Sequence, residues 1–205
     1  MVYLRSQETS KVICHQAVVV GVSLGGMDAL PMVLSPLPED FTVPIVIVQH
    51  LHSTDDGFLV EYLDGKCGME VRQARESELA VSGCAYLAPP DRHLSIVNGG
   101  KLALSDGEKV NHSRPSIDVL FKSAARSYGP GLIGVLLTGA SVDGASGMAS
   151  IKEYGGLTIV QDPATAESGV MPQSAIDRCE IDYVVPLEEI AGVLRKLVGV
   201  GEMAD

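Results

Sequence analysis

The stretch VVVGVSLGG, residues 18–26, decides how the chain is read. Valines run to Gly21 and Val22, and the apolar character then stops at Ser23-Leu24-Gly25-Gly26. A short run of β-branched residues without alternation marks a parallel strand buried on both faces, since alternation arises only where one face meets water. The residues from Gly26 to Leu34 read as a helix, so Ser23 sits where strand passes into helix.

Two further runs have the same character, VPIVIV at 43–48 and LIGVLL at 132–137. Weaker strands are expected at LTIVQ, 157–161, and YVVPL, 183–187. Helical segments fall between them at 57–63, 116–127, 144–154 and 188–198. The segment 116–127 carries Ile117, Leu120, Phe121 and Ala124 at helical spacing. Strand and helix in alternation imply right-handed crossovers and a doubly wound, mostly parallel α/β sheet of three layers. Residues 93–105, HLSIVNGGKLALS, differ: two alternating segments flank Asn98-Gly99-Gly100, the signature of a small antiparallel hairpin decorating that sheet.

The chain has 205 residues, enough for one sizeable domain. That domain is expected over 16–198, with loose tails at 1–15 and 199–205. The formal net charge of −11 argues against nucleic acid as a partner. No apolar run approaches the ~18 residues of a membrane span, so membrane insertion is not expected. The four cysteines, Cys14, Cys67, Cys84 and Cys179, fit no C-x-x-C or zinc spacing and read as reduced thiols of a cytoplasmic protein. His15, His52, His93 and His112 form no ligand pattern, and no metal is expected.

In open α/β sheets, ligands bind beyond the carboxyl ends of the strands. The first strand is followed by Ser23, the second by Gln49-His50, and the third by a loop ending in Asp143-Gly144. A serine hydroxyl becomes a nucleophile when an imidazole takes its proton, and an aspartate behind the imidazole fixes the tautomer. Gly21-x-Ser23-x-Gly25 also matches the nucleophile-elbow pattern, at the strand-to-helix position where that pattern has mechanical meaning. The Ser, Asp, His order of α/β-hydrolases fits poorly, because the last histidine is His112. A phosphate loop fits no better: GVSLGG is neither G-x-x-x-x-G-K-[ST] nor G-x-G-x-x-G. Each residue alone also suits a plainer role: a turn or helix cap for Ser23 and Asp143, a hydrogen-bonded edge for His50. Their joint placement on three strand ends favours chemistry.

Six motifs, in order, give the chain a family likeness: GVSLGG (21–26), VIVQHL (46–51), YLAPPDRHL (86–94), RPSIDVLFKSAA (114–125), GVLLTGASVDGASGM (134–148) and VQDPATAESGVMPQSAI (160–176). In these the chain resembles the catalytic domain of the CheB family, the protein-glutamate methylesterases of bacterial chemotaxis, from about Ala17 to Leu197. The resemblance implies Ser23 as nucleophile, His50 as general base and Asp143 as the orienting acid. It places an oxyanion donor near Ala140, and Leu24 directly follows the nucleophile. It implies hydrolysis of γ-glutamyl methyl esters on the helical cytoplasmic region of a receptor, with glutamine deamidation in some members and no cofactor.

Other motif residues are candidates of a second kind. Arg92 and His93 are placed to line the cleft or shape a turn. Arg114 is placed to bind substrate or, preferentially, to brace Asp118. Met171, before Pro172, is expected to end a cleft-facing loop and start a helix. Leu24 replaces a hydroxyl residue of the family, Ala140 a larger one, and GVMP an aromatic-Gly-Met-Pro form. Well-known members carry a receiver domain ahead of the catalytic one, whereas only a short segment precedes Ala17. Three alternatives follow: constitutive activity, regulation by a separate protein, or a fragment of a longer chain. The rivals are a non-catalytic signalling module of the same fold and a general small-ester hydrolase.

Overall fold

A computed structural model describes residues 15–50 and 57–199. The tails expected at the ends fall almost wholly outside the described residues, as do Cys14 and His52. Within them lies a seven-stranded sheet of β1 (Ala17–Val22), β2 (Ile45–Gln49), β3 (Glu70–Gln73), β4 (Cys84–Leu87), β7 (Leu132–Leu136), β8 (Leu157–Gln161) and β9 (Tyr183–Val185). Their order is β3-β4-β2-β1-β7-β8-β9, every neighbouring pair parallel. A separate antiparallel pair is formed by β5 (His93–Val97) and β6 (Lys101–Ser105). The helices are α1 (Gly26–Leu34), α2 (Phe58–Asp64), α3 (Ile117–Tyr128), α4 (Ala145–Glu153), α5 (Val170–Arg178) and α6 (Ile190–Leu197).

The three layers follow from β1 alone. Every residue of that strand is buried, so both faces must be covered. Val18, Val20 and Val22 face a core completed by α1, α2 and α6 through Leu30, Val33, Leu63 and Leu194. Ala17 and Val19 face a second core completed by α3, α4, α5 and the hairpin through Leu120, Phe121, Met148 and Leu94. The long apolar runs thus read as strands because they are central. Each fully buried Val or Leu contributes about 1.5–3 kcal/mol.

The differences from expectation have local causes. β2 starts at Ile45 rather than Val43, because Pro44 has no N–H for the ladder; its carbonyl accepts from the Val18 amide instead. β3 and β4 are new: Glu70–Gln73 is an edge strand with polar residues, and Cys84–Leu87 is four residues long, so neither shows a periodic signal. The hairpin does not join the main sheet. It packs on α3, where the Ile96 amide donates to Ser123 Oγ and Ser127 Oγ donates to the Ile96 carbonyl. The last helix begins at Ile190, after a 3-10 turn over Leu187–Glu189.

The topology fixes where a site can form. The chain leaves β1 toward β2 on one side and leaves β7 toward β8 on the other. The strand order therefore reverses between β1 and β7, and the loops after those strands diverge to open a crevice.

Candidate active site

Ser23 is the first residue beyond β1, His50 the first beyond β2, and Asp143 lies between β7 and α4. Backbone bonds lock the three strand ends together: the Ser23 amide donates to the Thr138 carbonyl at 3.0 Å and the His50 amide to the Val22 carbonyl at 3.1 Å. Gln49 Nε2 adds bonds to the carbonyls of Ser23 and His50.

The side chains form one line. His50 Nδ1 is 3.2 Å from Ser23 Oγ, and His50 Nε2 is 2.9 Å from Asp143 Oδ2. A carboxylate only accepts, so Nε2 carries the proton and Nδ1 turns its lone pair to the serine hydroxyl. The imidazole therefore stands in the tautomer that can take the Ser23 proton. Its side chain is 15% exposed and that of Asp143 is 0% exposed, so the pair sits at the boundary between solvent and core.

Asp143 is buried but not isolated. Oδ2 accepts from the Ile117 amide at 2.7 Å as well as from His50. Oδ1 accepts from Asn111 Nδ2 at 2.8 Å, Ser116 Oγ at 2.9 Å and the Asp118 amide at 3.2 Å. Burial pushes its pKa up, and the hydrogen bonds led by His50 and Asn111 outweigh that, holding the carboxyl below its ordinary value. The acid is thus an anion held by a cage of donors.

The glycines of the turn are dictated by contact. A Cβ on Gly21 would lie 2.3 Å from the Ile117 side chain, and one on Gly26 would lie 1.7 Å from Gln49 Oε1. Gly25 has φ +85, a conformation that side chains rarely adopt. The cleft beyond Ser23 has a volume of about 470 Å³ and is lined further by Leu24, Met27, Asp28, Gln49 and Glu167.

Leu24 is half exposed at the mouth, and its carbonyl accepts from Thr138 Oγ1. Ala140 is exposed in the loop that follows Gly139, whose carbonyl accepts from the Met171 amide. Among the described residues, the Leu24 and Ala140 amides make no hydrogen bond.

Arg92, His93, Arg114 and Met171 do not line this cleft. Arg92 pairs with Asp106 at 2.9 Å. His93 is buried behind the acid: its Nδ1 accepts from the Ser116 amide and its Nε2 donates to the Glu108 carbonyl. Arg114 pairs with Asp91 and reaches the carbonyls of Asp106 and Gly107, so it ties a loop together and does not brace Asp118. Met171 lies one residue inside α5, fully buried, and occupies the space that a side chain at Gly139 would need.

Asp118 has a different task. Its Oδ1 accepts from the amides of Gly144 and Gly147, which fixes the start of α4 beside Asp143. Three contributors have no role legible in the motifs: Asn111, and Ser116 and Gln49, which stand inside them. Asn111 stands in a tight turn with φ +52, followed by His112 at φ +63, and its amide bridges Asp143 and Asp118. The signal available was the long polar loop over 105–116, since loops of that length are commonly functional.

The family model described as CheB methylesterase matches residues 18–194. A protein of Leptospira interrogans named "Putative protein-glutamate methylesterase/protein-glutamine glutaminase" is 49% identical, over 89% of this chain and 95% of its own length. A Geobacter metallireducens protein-glutamate methylesterase/protein-glutamine glutaminase is 42% identical over 90% of this chain, which spans 53% of that relative. The crystal structure of the Thermotoga maritima CheB methylesterase catalytic domain superposes with a TM-score of 0.86 at 36% identity, covering 91% of this chain and all of that one.

Proposed function

Since the chain belongs to the CheB methylesterase family, and is thereby a hydrolase of glutamate methyl esters in proteins, we propose that Ser23, His50 and Asp143 carry its reaction. The supporting observation is the single line of contacts Ser23 Oγ, His50 Nδ1, His50 Nε2, Asp143 Oδ2, ending in a buried anion. Ser23 Oγ attacks the γ-carbonyl carbon while its proton passes to His50 Nδ1. The carbonyl oxygen becomes an oxyanion, for which the free amides of Leu24 and Ala140 are the donors. A well-placed donor of this kind contributes about 10²–10³ in rate. Collapse breaks the bond to methoxide, which takes the proton from His50 and leaves as methanol. Water then attacks the acyl-serine while its proton passes to the same imidazole; as the acyl bond breaks, Ser23 Oγ takes that proton back, and the product leaves as glutamate after losing its carboxyl proton to solvent. A glutamine side chain follows the same path with ammonia as the leaving group.

The target is a methylated chemoreceptor, reached at its helical cytoplasmic region. The enzyme then acts from the cytoplasm; among the described residues no helix is long and apolar enough to cross a membrane.

The test is methanol release from methyl-labelled chemoreceptor membranes, with mass spectrometry of the receptor. Release accompanied by glutamate at the formerly methylated positions is the expected result. Cleavage of soluble aryl esters with no release from receptor would assign the chain to general ester hydrolysis instead.

Asn111 is a positioning residue in this scheme. Replacing it by alanine removes one donor from Asp143 and one from Asp118. The expected result is a kcat lower by about tenfold, the equivalent of one charge-assisted hydrogen bond, with KM little changed. Steady-state kinetics separate the two constants.

A further inference from the structure

The cleft beside Ser23 has an electrostatic problem that two acidic residues bear on. Helix α1 starts at Gly26, so its positive end faces the place where the oxyanion develops. A helix N-terminus with free amides also holds carboxylates well. The reaction proposed above makes a carboxylate at that spot, and left alone the site would retain its own product.

Glu167 stands against this turn. A Cβ on Gly25 would lie 2.7 Å from Glu167 Oε2 and 2.9 Å from Glu167 Cβ, so the side chain lies flat on the residue two after Ser23. It is exposed, and among the described residues its carboxylate makes no hydrogen bond or ion pair. Asp28, in the first turn of α1, is the second acid of the lining. Among the described residues, no lysine or arginine lines the cleft.

We propose that Glu167, aided by Asp28, is a specificity-determining residue that admits uncharged ester or amide side chains and repels the glutamate carboxylate. This rests on the esterase reading. The charges explain why repulsion need not cost rate in proportion. In the transition state the oxyanion is accompanied by an imidazolium, so the reacting assembly is net neutral toward a charge several ångströms away. Once the product acid has lost its proton to solvent, no imidazolium balances the carboxylate, so Glu167 opposes it in full. The effect lies at the solvent boundary and is therefore screened by salt.

The experiment is direct binding of two cytoplasmic fragments of a chemoreceptor, identical except for Gln or Glu at the modification positions. Three proteins are compared, each carrying Ser23→Ala so that the Gln fragment is not deamidated while it binds: the otherwise unaltered chain, Glu167→Gln and Glu167→Asp. Methanol release from methylated receptor is measured on the counterparts that keep Ser23. The otherwise unaltered chain is expected to bind the Gln form tighter than the Glu form, by about three- to tenfold at low salt, the size of an exposed charge interaction. Glu167→Gln should bring that ratio to near one, Glu167→Asp should preserve most of it, and ~0.5 M salt should erase it in every protein. An unchanged ratio in Glu167→Gln, equal changes in both variants, or no binding of either fragment overturns the inference. Loss of the esterase reading would show separately, as absence of methanol release.

Discussion

Replacing Ser23 by alanine is expected to lower methanol release from methylated receptor by about 10⁴-fold or more, the scale set by removal of serine nucleophiles elsewhere. The loss follows from what remains. Without Oγ no acyl-enzyme forms, and His50 can only promote direct attack by water, which the oxyanion donors still assist. The structure also says what should not change. Apart from His50 Nδ1 at 3.2 Å, the hydroxyl has no hydrogen-bond partner among the described residues, and alanine keeps the Cβ that packs against Gly139. Thermal or urea unfolding should therefore agree with the parent within about 0.5 kcal/mol. Inactivity in a folded variant is thus a statement about chemistry. A variant that keeps the parental rate would place the nucleophile elsewhere.

Asp143→Asn is expected to act on both activity and stability. Five donors converge on the carboxylate: His50 Nε2, Asn111 Nδ2, Ser116 Oγ and the amides of Ile117 and Asp118. An asparagine brings an NH₂ of its own into that cage, so at least one donor must face another. If the imidazole turns its bare nitrogen to the new amide, its proton faces Ser23 and the base is lost. Such a tautomer error lowers kcat by roughly 10⁴. The unsatisfied buried donors cost on the order of 2–4 kcal/mol of stability. The pH dependence gives a second check. Asp143 titrates lower in the folded protein than its ordinary value of 3.8, so its contribution is present above that value. It fades as pH falls through the folded pKa, and the stability gap between parent and variant should close below pH 3.8 and be constant near neutrality. Denaturant titrations across that range measure it.

The two kinds of prediction rest on features that were not equally legible in the chain. β1, β2 and β7 are legible because central strands of a covered sheet carry unbroken apolar runs, and Ser23, His50 and Asp143 are legible as the residues after them. The hairpin is legible from Asn98-Gly99-Gly100, where Gly99 and Gly100 both adopt positive φ. Its docking on α3 is not, since that depends on Ser123 and Ser127 more than twenty residues away. β3 and β4 pair with each other over only four residues, and their identity as strands comes from their neighbours. Asn111 and Ser116 serve Asp143 from across the fold, and nothing in a local pattern names a partner so distant. Arg114 shows the same limit: a guanidinium announces that it will find a carboxylate, and only the fold selects Asp91 over Asp118.

The cage around Asp143 bears on how such a site can be switched. Two of its donors are backbone amides at the first residues of α3, and Asp118 in that same turn fixes the start of α4. Misaligning the acid would mean prising two helices apart, a change of the size of partial unfolding. Ser23 is only half-buried and opens on a cleft, and covering it requires no rearrangement at all. Occlusion is therefore the inexpensive form of inhibition for this architecture, and an inhibitor of it need only be a well-fitting plug.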